Sequence, residues 1–336
     1  MVSWKNPDEL SSFKELCSDT HRADLKTLMS GEHSAERVAD YKVSMSSGLS
    51  YCFASKAVDD EILSKLQALA DEAELIAKFR ELYNGSVINT GENRLVLHQL
   101  CRGQLGDPVI ADGVDKHEFY THEQTKIADF SKAVHKGDIV NAKGERFTTV
   151  VQIGIGGSDL GPRAMYIALE NWAKANDKLR MKAHFISNVD PDDAASVLKS
   201  IDLEHSLFIL VSKSGTTLET LTNEAFVKTA LKAAGLDPAR HMIAVTSETS
   251  PLAKSKDYLA AFFMDDYIGG RYSSSSAVGG AVLSLAFGAD VFARFLAGAH
   301  AEDVLDTTPD IRKNPAMLDA LIGVYERNVL GYSTTA

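Results

Sequence analysis

From about residue 147 to residue 264 the chain alternates short, continuous apolar runs with helical stretches, and no other feature constrains its fold as tightly. The runs cover residues 149–153, 184–186, 207–211, 242–245 and 262–264; helical patterns occupy 162–174, 191–199, 218–234 and a short piece from Pro251. A strand that is apolar throughout is covered on both faces, and alternation with helices makes the sheet parallel. The expected fold class is therefore α/β, a doubly wound parallel five-stranded sheet. Right-handed crossovers place every strand-to-helix loop at one edge of that sheet. Ligands bind in the crevice outside the strand C-termini, so the search for function narrows to a few loops.

The flanking regions read differently. Residues 1–125 form a mainly helical N-terminal segment, 126–288 the α/β domain, and 289–336 a helical run. In the first segment Asp59-Asp60-Glu61 opens a helix carrying Ile62, Leu63, Leu66, Leu69 and Ala70 at helical spacing, and Asn84-Gly85 signals a turn. Residues 277–289 are apolar but broken by Asp290 and Arg294, too short to span a bilayer, and read as a buried helix.

The first loop of interest is Gly154-Ile155-Gly156-Gly157-Ser158-Asp159-Leu160-Gly161-Pro162. Glycines let a backbone approach a ligand, and Pro162 suits the first turn of the next helix. A helix N-terminus after a strand favours an anion. A dinucleotide fingerprint would need glycine at Asp159 and an acidic residue near Ser187-Asn188. A structural tight turn, a sugar or phosphate loop and a dinucleotide site all stay open here. The second loop is Ser212-Lys213-Ser214-Gly215-Thr216-Thr217-Leu218-Glu219-Thr220. Thr216 and Glu219 have capping-box spacing. A cap explains two residues, whereas five hydroxyls and a lysine in nine positions suit a phosphomonoester cradle. There is no Walker lysine pattern. The third loop, Asp266-Tyr267-Ile268-Gly269-Gly270-Arg271-Tyr272-Ser273, offers a lone arginine at the same edge. Arg271 either stabilises an oxyanion or enediolate, or pairs with a local carboxylate such as Asp266.

Together these loops resemble the glucose-6-phosphate isomerase (phosphoglucose isomerase) family. The likeness continues in Ser276-Ala277-Val278-Gly279, in Asn84-Gly85, Ile88-Asn89 and Glu92-Asn93-Arg94-Leu95-Val96-Leu97-His98, and in residues 328–336. The resemblance implies a sugar isomerase fold of two α/β domains, usually a homodimer, that interconverts glucose 6-phosphate and fructose 6-phosphate through a cis-enediol without a cofactor or metal. By motif it implies that Gly157 and Ser158 line the sugar. Ser212, Lys213, Ser214 and Thr217 would hold the phosphate, and Arg271 would stabilise the enediolate. Ser214-Gly215 stands where many members have Thr-Phe, and Ser274 and Ser275 replace bulkier residues.

One element of the family is absent. Isomerisation needs a positioned base, which the family supplies from a Gly-Glu-Pro-Gly-Thr-Asn-like motif, and no such motif occurs in the 336 residues. The family's ring-opening histidine and C-terminal lysine also lack counterparts; His98 reads as a structural residue on an amphipathic helix. The expectation is an N-terminal portion of the enzyme, inactive alone, with residues 289–336 starting an incomplete second domain and with the dimer unsettled for this chain. The alternatives are a non-catalytic sugar-phosphate binding module, which would need a basic DNA-reading segment, and an amidotransferase, which would need cysteine where Val2 stands.

Charge and cysteines set the remaining expectations. Lys and Arg number 35 against 46 Asp and Glu, a net charge of −11, which disfavours nucleic acid and anionic membranes as partners. The sugar phosphate must then rely on a local cradle. Cys17, Cys52 and Cys101 are odd in number and widely spaced, the pattern of buried free thiols in a reducing compartment. Residues 1–8 carry no apolar signal region. A cytoplasmic protein is the expected result.

Overall fold

Five parallel strands form where the apolar runs lie: β1 (Thr149–Ile153), β2 (Lys182–Ile186), β3 (Ser206–Val211), β4 (Met242–Thr246) and β5 (Ala261–Phe263), in the spatial order β2-β1-β3-β4-β5. The computed structural model describes every residue except 1, 3, 31, 32, 335 and 336. Parts of the 1–8 and 328–336 stretches therefore lie outside the described residues. Two compact units result, one made of Met1–Asn84 with Gly298–Ala336 and the other of Gly85–Ala297. These divide the chain at other places than the expected boundaries at 125 and 288. The boundary at 125 falls within the helix Lys116–Lys136.

In the Gly85–Ala297 unit the sheet is buried on both faces, as its continuous apolar strands require. Leu207, Ile209 and Val211 of β3 point to one face with Val150, Ile243 and Val245, against the all-buried helix Ala277–Phe287, the helix Lys116–Lys136 and Tyr166. Phe208 and Leu210 point to the other with Val151 and Ile153, against Ala194 and Leu198 of Pro191–Ser200 and Val227 and Leu231 of Leu218–Ala233. Helices on both faces make the sheet doubly wound. Its order changes direction between β1 and β3, so the crevice for a ligand opens at their C-terminal ends. The apolar stretch 277–289 is the buried helix expected, capped by the Ser276 side chain at Val278 N. Among the described residues no helix is long and apolar enough to cross a membrane.

The other unit packs Asp60–Glu72 and Pro315–Asn328 around Leu63, Leu66, Leu318 and Ile322. The Asp59 carboxylate caps the first of these helices at Ile62 N, 3.0 Å away, which is the start signal read in Asp59-Asp60-Glu61. Buried Arg37 donates to the carbonyls of Ala54, Lys56 and Val58, each at 2.9 Å, and so satisfies a loop that has no ladder partner. The cysteines depart from expectation. All three are free thiols, but only Cys101 is buried, whereas Cys17 and Cys52 are exposed, because they sit on outward positions of a surface helix and a short edge strand.

Candidate functional site

The loops after β1 and β3 flank the point where the strand order reverses, and the loop after β5 closes over them. The backbone positions them through side chains that the loop patterns do not reveal. Gln152, fully buried in β1, donates from Nε2 to Ser158 O at 2.7 Å and ties down the first loop. Asp159, where a dinucleotide fingerprint needs glycine, is buried and pairs with Arg163, Nε to Oδ1 2.9 Å. Burial raises its pKa against the pull of that guanidinium. It is the N-cap residue of the helix Leu160–Ala175, with its carboxylate on Arg163 of that helix and no side-chain cap bond.

The second loop is built as a cradle. Ser212 is buried, and its Oγ accepts from Gly215 N at 3.2 Å and lies 3.4 Å from Thr217 Oγ1. Gly215 has φ +66°, a left-handed conformation that glycine adopts freely. A Cβ there would meet Ser250 Oγ at 2.1 Å and Leu252 at 3.0 Å. The space beside Gly215 is therefore filled from the loop after β4. The end of β4 and the loop after it also support the cradle backbone: Thr246 Oγ1 donates to Ser212 O at 2.7 Å and Ser247 N to Lys213 O at 3.0 Å. The capping box that the Thr216–Glu219 spacing allows, the alternative to a cradle, does not form. Thr217 is the N-cap, with no side-chain cap bond, and Thr216 instead bonds Ser214 Oγ through its N and Oγ1, at 3.1 and 2.9 Å. The N-terminus of the helix Leu218–Ala233 is thus left without a side-chain cap, the arrangement that suits an anion.

The third loop reaches the first. Gly270 O lies 2.1 Å from where a Cβ on Gly157 would stand, and Ser273 Oγ donates to Gly157 O at 3.0 Å. Below it, Asp265 Oδ1 accepts from Tyr120 OH at 2.8 Å and from Tyr267 N at 3.1 Å, and Oδ2 lies 3.3 Å from the buried Lys116 Nζ. Arg271 is exposed, and among the described residues it has no ion-pair partner. Asp266 does not neutralise it: that carboxylate pairs with Lys213 at 3.4 Å and Arg94 at 3.8 Å. Tyr272 beside it has φ 64°, unusual for a residue with a bulky side chain, and is 81% exposed.

His98 is not on an amphipathic helix. It begins the short 3-10 turn His98–Cys101 and donates from Nε2 to Gly269 O at 3.0 Å, while Leu97 N donates to Tyr267 O at 3.1 Å. Burial holds the imidazole below the ordinary histidine range, against the pull of that carbonyl. No motif at Glu92–His98 could have shown this, because the partner lies 171 residues away.

Two adjoining cavities result. The cradle, about 310 Å³, is lined by Ser158, Ser212, Lys213, Ser214 and Thr217, together with Gly269, Gly270 and Ser273. The outer one, about 400 Å³, is lined by Arg271, Arg94, His98, Asp266 and Glu92, and shares Lys213, Gly269 and Gly270 with the first. Of the expected residues, Ser158, Ser212, Lys213, Ser214 and Thr217 meet in the cradle. Gly157 backs it through Gly270 and Ser273, and Arg271 stands in the neighbouring cavity. Gln152, Thr246, Ser247 and Ser250 were not singled out by their sequence context, and His98 was read as structural without its partner Gly269. Among the described residues no Asp, Glu or His lines the cradle, and no cluster of metal-ligating side chains occurs.

Comparison with known proteins gives the same picture. The family model of phosphoglucose isomerase matches residues 52–336. The chain is 57% identical to the glucose-6-phosphate isomerase of Treponema denticola, covering 100% of this chain and 64% of that protein. To that of Borreliella burgdorferi strain ZS7 it is 43% identical, over 99% and 63%. The crystal structure of a glucose-6-phosphate isomerase from Chlamydia trachomatis superposes with a TM-score of 0.88 at 39% identity, over 98% of this chain and 62% of that one. The chain spans less than two thirds of the length of these relatives. With the matched model covering most of its length, the chain belongs to the phosphoglucose isomerase family.

Proposed function

We propose that this site binds a sugar phosphate and serves the interconversion of glucose 6-phosphate and fructose 6-phosphate through an enediolate, without a cofactor. The observation that carries this reading is the convergence of three loops on one cavity at the switch point of the sheet, with an uncapped helix N-terminus at its floor. Ser212, Ser214 and Thr217 donate hydroxyl hydrogens to the phosphate, the first N–H groups of the helix Leu218–Ala233 face it, and Lys213 supplies its charge. Gly157 and Ser158 line the sugar. Arg271, unpaired and one residue beyond the glycines, offers a guanidinium to the developing enediolate oxygen. A guanidinium stays protonated throughout, so it stabilises the charge without competing for the proton.

Proton transfer between adjacent carbons needs a base within hydrogen-bond reach; among the described residues no carboxylate or imidazole lines the cradle, and those of the outer cavity beside Arg271 are engaged, Asp266 with Lys213 and Arg94, Glu92 with Asn89 and His98 with Gly269 O. We infer that these 336 residues bind the substrate and hold its enediolate, and that the base is not among them. A coupled assay, in which product glucose 6-phosphate is oxidised by its dehydrogenase with reduction of NADP, tests this. The chain is expected to bind fructose 6-phosphate but turn it over negligibly. Near-normal turnover would refute the assignment of the base elsewhere.

A further inference from the structure

Lys213 borders both cavities, yet its ammonium is drawn away from the cradle. Nζ lies 3.4 Å from Asp266 Oδ1. Asp266 lines the outer cavity and not the cradle. Among the described residues no cradle hydroxyl accepts a hydrogen bond from Lys213. The same Oδ1 stands 3.8 Å from Arg94 Nη1, so one carboxylate sits between two cations. Glu92, the other carboxylate of the outer cavity, is engaged with the Asn89 amide at 3.1 Å.

We propose that Asp266 is a counter-ion that holds Lys213 out of the cradle until an anion arrives, and thereby sets the affinity of the site for phosphate monoesters; this rests on the phosphate-cradle reading above. Lysine is a compact charge on a flexible four-carbon stem, able to swing between two acceptors. An entering phosphate dianion competes with Asp266 for the ammonium. When Lys213 leaves, Arg94 remains beside Asp266, so the carboxylate keeps a partner and the exchange costs little. The Asp266 side chain is 63% exposed and that of Lys213 32%, so the pair is partly screened and the effect is modest.

Titration calorimetry of the 336-residue chain with inorganic phosphate tests this, using wild type, Asp266→Asn, Lys213→Ala and the double variant, each checked for folding by its melting curve. Asp266→Asn is expected to bind phosphate about two- to five-fold more tightly at low salt. The gain should shrink in about 0.5 M salt and largely vanish in the Lys213→Ala background. Asp266→Ala serves as a second neutral variant and should give the same gain. Weaker binding in Asp266→Asn would make Asp266 a positioning group for Lys213 and overturn the proposal. A gain of equal size without Lys213 would make it a bare repelling charge, and would overturn it too. If wild type binds phosphate, and Ser212→Ala weakens that binding about ten-fold or more while Asp266→Asn matches wild type, the cradle stands and this inference fails. If neither wild type nor Asp266→Asn binds phosphate, the cradle itself fails and the inference with it.

Discussion

Replacing Gly157 with alanine places a methyl carbon 2.1 Å from Gly270 O, 2.3 Å from its carbonyl carbon and 2.5 Å from its Cα. All three are backbone atoms, so no side chain can rotate away. Contacts below 3.0 Å are essentially never seen for real Cβ atoms, so the first and third loops must part by about 1 Å. Overpacking of this kind costs about 1–3 kcal/mol. The hydrogen bond from Ser273 Oγ to Gly157 O, 3.0 Å long, is stretched as well. The melting temperature of the Gly85–Ala297 unit should fall by about 2–7 °C. The displacement also moves Arg271 and the edge proposed to line the sugar relative to the cradle, while the loop after β3 keeps its support from Thr246 and Ser247. Affinity for fructose 6-phosphate should therefore drop about ten-fold, with inorganic phosphate affinity nearly unchanged. Calorimetry with both ligands and a melting curve read the two effects. An alanine variant with wild-type melting and wild-type affinity for fructose 6-phosphate would refute the claim that the loops meet at Gly157.

Other expectations follow from the same geometry. Ser212→Ala and Thr217→Val each remove a hydroxyl from a charged ligand and should weaken phosphate binding about ten-fold or more by calorimetry. Gly215→Ala meets both a left-handed φ and the Ser250 hydroxyl, so it should lower the urea midpoint by the equivalent of about 1 kcal/mol or more. His98 has its pKa depressed by burial in the folded chain. As pH falls below 6.5 the unfolded chain takes up its proton first, so stability held above that pH is lost. The stability advantage of wild type over His98→Gln, from urea midpoints, should shrink between pH 7.5 and 5.5. An advantage that grows on acidification would contradict the burial argument.

The five strands were legible because a strand buried on both faces reads as an unbroken apolar run. β2 was only half read, since Lys182 lies exposed at its start and a lone charged residue hides the pattern at an edge. The cluster in the loop after β3 was legible: Ser212, Lys213, Ser214 and Thr217 line one cavity because neighbouring residues of one turn share one surface. How the loops meet was not. Gly157 against Gly270, His98 against Gly269 and Ser250 against Gly215 are contacts between distant segments, which no local spacing records. The Thr216–Glu219 spacing pointed to a capping box, but Ser214 Oγ competes for the Thr216 N–H and wins. Asp266, the local carboxylate that the sequence offered as a partner for Arg271, pairs instead with Lys213 and Arg94, again across segments that no spacing records.

The central claim is that the loop after β3 recognises the phosphate of a sugar phosphate. Calorimetric titration of the chain with fructose 6-phosphate, in parallel with fructose, addresses it most directly. One saturable site for fructose 6-phosphate, displaced by inorganic phosphate, abolished in Ser212→Ala/Thr217→Val and absent for fructose, is the predicted result. Equal binding of the two sugars, or binding that survives loss of both hydroxyls, would contradict it.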